Sequence, residues 1–104
     1  TLWLRDAQQA AALSQSRLND RYLPGHVLPA QVRVSGALLG PWLSTQDLVV
    51  VATPMAALRE ILHTLQDWCA ERPVAWLCKG LELGTGLMPH EVQAQVAPNC
   101  KRVL

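Results

Sequence analysis

The sequence has 104 residues, of which 50% are hydrophobic and 16% are charged, and its formal net charge is +1. This length and composition fit one small folded domain and argue against a disordered chain. The near-neutral charge, with no basic block, argues against nucleic acid and membrane surfaces as partners. No apolar run approaches the ~18 residues of a membrane helix, so no integral membrane segment is expected.

The chain termini and the cysteines bear on the cellular context. Nothing in the sequence resembles a signal peptide, and both ends look cut through secondary structure, because the chain opens at Thr1 without a Met and stops on an apolar rise.

The three cysteines, Cys69, Cys78 and Cys100, are odd in number and lack paired spacing. They predict reduced thiols in a cytoplasmic protein, not disulfides or a metal site. Cys78 is expected to be a small buried strand residue, with a reactive thiol as the alternative.

The first third of the chain predicts a strand, a helix, a loop and a second strand. Residues 1–4 read as a strand, and Asp6 can cap a helix from Ala7 to about Leu18. Pro24-Gly25 marks a turn within the loop at residues 19–26, and residues 32–34 alternate as a short strand. The inner face of the helix is expected to carry Ala10, Leu13, Ser14 and Arg17.

The middle of the chain predicts a buried strand followed by its best helix. Residues 37–43 favour at most a short helix, interrupted by Gly40-Pro41. Residues 47–52 contain three consecutive β-branched residues, which is typical of a buried strand. Thr53 is a good helix N-cap and Pro54 suits the first helical position. The helix that follows should bury one stripe, formed by Met55, Leu58, Ile61, Leu62 and Leu65.

A further strand is predicted at residues 74–78, between Pro73 and Gly80. It is apolar on both alternations, which is typical of a parallel strand covered on both faces. A helix should run from Pro89 to about Val96, and a last strand should begin at residues 101–104.

The order of these elements, β-α-β-α-β-α-β-α-β, predicts an α/β fold with a doubly wound, Rossmann-like parallel sheet. A dinucleotide-binding sheet carries Gly-x-Gly-x-x-Gly after its first strand, and the sequence contains no such motif. The sheet is therefore expected to be incomplete, without its first strand and its glycine-rich loop.

Lys79 is the candidate site residue that the pattern itself singles out. It directly follows the strand at residues 74–78, and glycines follow it at Gly80, Gly84 and Gly86. In open α/β sheets, ligands bind outside the carboxyl ends of the strands, where an ammonium group would meet an anion. The alternative is a solvated lysine that only ends the apolar run.

Four sequence blocks occur in order and carry a family resemblance: Leu-Trp-Leu-Arg-Asp at 2–6, Asn-x-Arg-Tyr-Leu-Pro-Gly-His at 19–26, Val-Val-Val-Ala-Thr-Pro at 49–54 and Trp-Leu-Cys-Lys-Gly-Leu-Glu-x-Gly-Thr-Gly at 76–86. Together they resemble bacterial NAD(P)-dependent glycerol-3-phosphate dehydrogenase over essentially the whole chain. The resemblance implies that residues 1–104 are a partial dinucleotide-binding domain, from its second strand to its sixth. The helical C-terminal domain, which carries the catalytic Lys in this family, would be absent.

The resemblance also implies roles for individual residues. Arg5 matches a basic position that contacts NADPH, since a guanidinium favours a 2′-phosphate, whereas Asp6 leaves NADH open. Lys79 matches a residue between the nicotinamide end of the cofactor and glycerol 3-phosphate, which orients the substrate. The structural alternative for both basic residues is solvated surface.

The remaining cofactor contacts lie in two loops. Thr53-Pro54 matches a turn whose backbone lines the nicotinamide-ribose region, with a plain helix cap as its structural reading. Tyr22 is a candidate contact on the adenine side, with a packed loop anchor as the alternative. No metal site is predicted, and no catalytic residue is expected within the chain itself.

The expected parent enzyme is an oxidoreductase that interconverts sn-glycerol 3-phosphate and dihydroxyacetone phosphate with NADPH or NADH, for phospholipid synthesis in the cytoplasm. A homodimer is an open expectation for the full-length protein, and the chain alone is expected to be inactive. Two alternatives stay open: another Rossmann-type hydroxyacid dehydrogenase, or a non-catalytic nucleotide-binding module.

Overall fold

A computed structural model describes residues 1–100 of the chain. The strand predicted at residues 101–104 lies outside the described residues. Strands and helices alternate along the described part, in the order β1 (Leu2–Trp3), α1 (Ala7–Ser16), β2 (Val34–Ser35), α2 (Leu39–Leu43), β3 (Val49–Val51), α3 (Met55–Leu65), a 3₁₀ turn (Trp68–Ala70), β4 (Val74–Trp76) and α4 (Pro89–Val96).

All strand pairing between these elements is parallel. β1 pairs with β2, with Leu2 opposite Val34, and β3 pairs with β4, with Val50 opposite Ala75. The described strands form two sheets of two strands each. The chain divides into two compact units, residues 1–42 and residues 43 onward, and each unit contains one of these sheets. The prediction of an α/β fold with parallel strands is confirmed.

Helix α1 in the first unit begins at the cap that the sequence predicts. The carboxylate of Asp6 accepts hydrogen bonds from the backbone N–H groups of Gln8 and Gln9, at 2.9 and 3.0 Å. Arg17 takes the left-handed conformation, with φ 61°, and its N–H donates to the Leu13 carbonyl. The helix therefore ends at Ser16, earlier than predicted, because a left-handed residue stops the helical hydrogen-bond pattern.

The buried face of α1 is narrower than the sequence predicts. Ala10 and Leu13 are buried, whereas Ser14 is exposed, so its assignment to the inner face is wrong. Gly36 follows β2 directly and approaches the helix closely: a Cβ added there would lie 2.8 Å from Ala7 Cα and 2.9 Å from Ala10 Cβ. The alanine side of α1 thus packs tightly, as its small residues suggest.

The core of the second unit is built around α3, whose predicted stripe is confirmed at four of its five positions. The fifth, Ile61, is half-buried. Strand residues Val51 and Val74 are also buried, so the inner sides of β3 and β4 carry this core. The buried stripe residues are Met55, Leu58, Leu62 and Leu65.

The start of α3 differs from the prediction that Thr53 is its N-cap. The helix begins at Met55, and its N-cap is Pro54, which makes no side-chain capping bond. Thr53 lies one residue further out, and its hydroxyl is 4.0 Å from the Cys78 sulfur. The hydroxyl is directed towards the neighbouring strand end and therefore does not cap the helix.

Two predictions about helix α2 and the strands are also corrected. Gly40 and Pro41 do not interrupt a helix; α2 runs through both, because a proline in the first turn loses no hydrogen bond. The strands are shorter than predicted, since β2 lies at residues 34–35 and β4 ends at Trp76. They are also not covered on both faces, since Val50 is 49% exposed and Leu77, just beyond β4, is 65% exposed.

The prediction of reduced thiols is wrong for two of the three cysteines. Cys69 and Cys100 form a disulfide, with their Cα atoms 4.8 Å apart, while Cys78 is free and half-buried. The two partners are 31 residues apart in sequence, and the fold brings the 3₁₀ turn next to the segment after α4. An odd number of cysteines requires only that one thiol stay unpaired, so it could not exclude this bond.

Candidate functional site

The carboxyl ends of β3 and β4 lie side by side in the second unit. Beyond the paired strands, the Leu77 N–H donates to the Val51 carbonyl at 2.9 Å. The Cys78 thiol then donates to the Thr53 carbonyl at 3.1 Å. These contacts place the Thr53 turn next to the residue that precedes Lys79. Both segments therefore leave the sheet at the edge where parallel α/β folds bind their ligands.

The side chain of Lys79 is exposed at this edge of the sheet. Its ammonium group forms no hydrogen bond or ion pair with any residue in the described range. Gly80 follows with φ +87°, a backbone conformation that favours glycine, so the chain turns immediately after the lysine. An exposed cation at this edge can bind and orient an anionic group such as a phosphate.

The segment after Lys79 forms a closed loop between Glu82 and Leu87. The Glu82 N–H donates to the Leu87 carbonyl at 2.8 Å, and the Gly86 N–H donates to the Glu82 carbonyl at 2.9 Å. Gly84 and Gly86 both have positive φ values, +90° and +71°, which explains why glycines recur here. The loop is therefore held by its own backbone, with Glu82 at its closure.

The side chain of Glu82 attaches this loop to α3. Arg59 on α3 donates from Nε to Oε1 at 2.7 Å and from Nη2 to Oε2 at 2.8 Å, which is a bidentate ion pair. The Glu82 side chain is only 12% exposed and that of Arg59 is 35% exposed. Arg59 Nη2 also donates to Gln95 Oε1 on α4 at 3.0 Å. One guanidinium thus joins α3, the loop and α4.

A second contact adds to the electrostatics of Glu82. The hydroxyl of Thr85 donates to Glu82 Oε2 at 2.5 Å. The hydrogen bonds from Arg59, followed by that from Thr85, lower the pKa of Glu82 to about 2. The hydrogen bond to Glu82 in turn raises the pKa of Arg59. Both groups are therefore charged at any pH near neutrality.

The Thr53-Pro54 turn presents backbone groups at the same edge. The Pro54 carbonyl accepts the Ala57 N–H at 3.0 Å, and Pro54 has φ −57° and ψ 152°. The side chain of Pro54 is exposed, whereas Thr53 is half-buried beside Cys78. This turn therefore offers a fixed backbone surface in which proline restricts the conformation.

The two other predicted site residues lie in the first unit. Arg5 is exposed and follows β1, just after Leu4, whose N–H donates to the Ser35 carbonyl at 2.9 Å. It thus stands at the carboxyl end of a parallel strand, which is where the sequence predicts it.

Tyr22 is 69% exposed, so the alternative of a packed loop anchor is not supported. The guanidinium of Arg21 lies 5.1 Å from the centre of its ring. Tyr22 also lines an open groove of this unit together with Leu4, Leu13 and Leu18. The same groove is also lined by polar residues, among them Gln9 and Asp20, and the exposed ring of Tyr22 can stack on a flat ring system.

The structure thus gathers Thr53, Pro54 and Lys79 at one edge of the second unit, with Arg5 and Tyr22 in the first. Sequence patterns did not predict the Arg59–Glu82 pair, although Glu82 belongs to the sequence block at residues 76–86. Their separation of 23 residues matches no local pairing rule, so no sequence signal pointed to the contact.

Residues 1–100 contain neither a candidate metal site nor a candidate membrane span. No group of three or more His, Cys, Asp or Glu side chains could hold a metal ion there. No helix in the same range is long and apolar enough to cross a membrane.

Comparison with known proteins gives relatives that match almost the entire chain. A glycerol-3-phosphate dehydrogenase [NAD(P)+] from an Acidovorax species is 58% identical over 98 residues, covering 94% of this chain and 29% of the relative. The protein of the same name from Delftia acidovorans is 51% identical, covering 95% of this chain and 31% of the relative. The chain thus spans about three tenths of the curated relatives it matches.

A solved structure and a family model agree with these relatives. The crystal structure of glycerol-3-phosphate dehydrogenase from Coxiella burnetii superposes with a TM-score of 0.77 at 25% identity, covering 98% of this chain and 30% of that one. The family model described as NAD-dependent glycerol-3-phosphate dehydrogenase N-terminus matches residues 1–104. The predicted resemblance is confirmed, and the chain belongs to the family of NAD-dependent glycerol-3-phosphate dehydrogenase N-terminal domains.

Proposed function

We propose that this chain is part of the cofactor-binding domain of an oxidoreductase that interconverts sn-glycerol 3-phosphate and dihydroxyacetone phosphate with NADPH or NADH. The observation that carries the proposal is the position of Lys79, an exposed cation beside the Thr53 turn, in a chain whose family membership extends over its whole length. The substrates are phosphate monoesters, so a cation at this edge has a matching anion to bind.

The residues of the first unit fit the adenosine half of such a cofactor. Arg5 is an exposed guanidinium at the carboxyl end of β1 and suits the 2′-phosphate of NADPH, while Asp6 is engaged in capping α1. Tyr22 offers an exposed ring for the adenine. Since a free carboxylate at this position would favour NADH, the engagement of Asp6 supports a preference for NADPH.

The residues of the second unit fit the reactive half. The Thr53-Pro54 turn would line the nicotinamide ribose through its backbone, and Lys79 would lie between the nicotinamide and the substrate. The cofactor, when bound, supplies the hydride. Lys79 would hold the substrate by charge and hydrogen bonding, so that the carbonyl carbon of dihydroxyacetone phosphate stays in a reactive position.

Several parts of a complete enzyme would lie outside these 104 residues. The sequence contains no Gly-x-Gly-x-x-Gly, so the first strand and its pyrophosphate loop would precede the second strand of the domain, which is β1 here. A helical C-terminal domain would contribute the catalytic lysine. The proposed setting is a cytoplasmic, homodimeric parent enzyme in phospholipid synthesis, and the chain alone would be inactive.

The proposal is tested by steady-state kinetics on the full-length protein. The wild type is expected to oxidise NADPH only when dihydroxyacetone phosphate is added. The substitution Lys79→Met should lower kcat/KM on the order of a hundredfold, because a preorganised charge at a reacting anion contributes about that much. Lys79→Arg, which keeps the charge, should lose much less. A wild type that turns over other 2-hydroxy acids but not the glycerol phosphate pair would favour the hydroxyacid dehydrogenase alternative, and the absence of any turnover would favour a binding module.

A further inference from the structure

Resting on the proposed function, we propose that Arg59 is a positioning residue for the reaction: through Glu82 it fixes the loop that begins at Lys79, and so fixes the place of the Lys79 ammonium group. Arg59 itself lies on α3 and is not a candidate to touch substrate or cofactor. Its effect on the reaction would pass through the loop alone.

Lys79 and Glu82 are near neighbours in the same segment of the chain. Only Gly80 and Leu81 separate the two residues, and neither anchors the loop through its side chain, because Leu81 is 59% exposed and glycine has none. Gly80 is also the residue with the greatest backbone freedom. The first side-chain anchor after Lys79, within the described part of the chain, is therefore Glu82.

The contact between Glu82 and Arg59 is both strong and directional. A bidentate pair between a guanidinium and a carboxylate fixes orientation as well as distance, because two parallel hydrogen bonds resist rotation. Glu82 is largely shielded from water, at 12% exposure, so the contact is stronger than a surface ion pair. The backbone bonds of Glu82 to Leu87 and Gly86 carry the same constraint to the rest of the loop.

Arg59 is itself held in place by its helix and by a second hydrogen bond. Its helix is held in the core by Leu58 and Leu62, both of which are fully buried. Its Nη2 also bonds to Gln95 on α4. The guanidinium is therefore held by a well-packed helix and by the hydrogen bond to Gln95. Such support keeps a functional side chain in place.

The test uses the full-length enzyme and the variants Arg59→Met, Arg59→Lys and Arg72→Met. Arg72 is the matched control because it is also an arginine of the second unit that bridges to another segment, donating to the Leu43, Ser44 and Gln46 carbonyls, which precede β3. It lies at the opposite end of β4 from Lys79. Both methionine variants should lose thermal stability.

Only Arg59→Met should change the kinetics of the phosphorylated substrate. Its KM for dihydroxyacetone phosphate should rise on the order of tenfold, since a displacement of ~1 Å at a binding group can cost up to about a hundredfold. Its affinity for NADPH, measured by fluorescence, should fall less than the tenfold expected for KM, because Lys79 is proposed to meet only the nicotinamide end of the cofactor and the residues proposed for the adenosine half, Arg5 and Tyr22, are unchanged. The rise in KM should be smaller for Arg59→Lys than for Arg59→Met, since a lysine ammonium can replace one of the two hydrogen bonds to Glu82. Equal KM changes in Arg59→Met and Arg72→Met would overturn the proposal.

A double-mutant cycle with Lys79→Met separates positioning from general destabilisation. If Arg59 acts through Lys79, then Arg59→Met in the Lys79→Met background should leave KM unchanged within about twofold. If the two substitutions instead raise KM additively, Arg59 acts by another route, and the inference is refuted. A wild type without activity on glycerol 3-phosphate would refute the proposed function instead, so the two failures are distinguishable.

Discussion

At the scale of single residues, the carboxylate of Glu82 connects a loop to a helix by hydrogen bonds. Its two oxygens accept three hydrogen bonds, two from Arg59 and one from Thr85. Each of these bonds favours the ionised form, and together they outweigh the effect of partial burial, which acts in the opposite direction. The charge of Glu82 is therefore part of the folded structure.

This charge predicts a specific dependence of stability on pH. The pKa of Glu82 is about 2 in the folded chain, against an ordinary 4.5. A carboxyl whose folded pKa is depressed stabilises the fold fully above its ordinary pKa and loses that contribution as pH falls towards its folded pKa. The free energy of unfolding, measured in urea from about pH 6 down to about pH 2.5, should therefore fall more steeply for the wild type than for Glu82→Gln.

The exposed carboxylate of Glu71 provides the control for this measurement. The variant Glu71→Gln shows what the loss of one exposed negative charge does to stability. If the curves of wild type and Glu82→Gln run parallel, the charged pair with Arg59 does not contribute to stability.

At the scale of elements, the contact of α1 with the end of β2 depends on the absence of a side chain. Gly36 has an ordinary negative-φ or extended backbone, so its role is one of space and not of conformation. Both atoms that crowd it, Ala7 Cα and Ala10 Cβ, belong to the helix. The helix can therefore lie this close only while position 36 carries no Cβ.

We expect Gly36→Ala to destabilise the protein by about 1–3 kcal/mol, the usual cost of overpacking a tight contact. The matched control is Gly40→Ala in α2, where an added Cβ would meet nothing within 4 Å. That variant should lose less stability than Gly36→Ala, because the helix preference of alanine partly offsets the crowding between its Cβ and the ring of the following Pro41. Urea denaturation of both variants gives the comparison. Equal stabilities would mean that α1 moves away at no cost.

Sequence patterns predicted the helices better than the strands. Asp6 as a cap, the stripe of α3 and Pro89 at the start of α4 are local signals, and the structure confirms each of them. The Thr53 cap was wrong because its hydroxyl is directed to Cys78 on a neighbouring segment, a contact that no local rule contains. The lengths and exposure of the strands depend on which strands lie beside them, and the chain alone does not show this.

The candidate site divides in the same way. Lys79 was found because it directly follows a predicted strand, and ligands of parallel sheets bind at that edge. Arg5 and the Thr53 turn were assigned to the cofactor through the family resemblance. The Arg59–Glu82 pair and the Cys69–Cys100 disulfide were missed because both join residues far apart in sequence. The family itself was visible from four short blocks, because each block is contiguous in the sequence.

At the scale of the whole molecule, the two units share one plan: two parallel strands and the helices that connect them. Among the described strands, β1 pairs with β2 alone and β3 with β4 alone. In a dinucleotide-binding fold, the first strand is followed by the glycine-rich loop that binds the pyrophosphate. We propose that this strand, with its glycine-rich loop, is what a nucleotide-binding form of the chain requires.

This proposal predicts the outcome of an NADPH titration. The chain of 104 residues should bind NADPH at least about a hundredfold more weakly than a chain extended backwards by the first strand and its loop, because the loop and the helix N-terminus after it bind the pyrophosphate. Intrinsic fluorescence of the tryptophans gives the readout. An extended chain with its loop glycines replaced by valine should return to weak binding. Tight binding by the short chain would instead favour an independent nucleotide-binding module.

The positive φ angles of Gly80, Gly84 and Gly86 have a further consequence for chemical protein synthesis. These angles lie in the region that amino acids of opposite handedness prefer, so D-alanine at Gly84 should fit the loop backbone where L-alanine would be strained. Such a mirror-image residue would narrow the conformations open to the unbound loop. It would thus let a chemist stiffen the segment after the lysine without touching any of its hydrogen bonds.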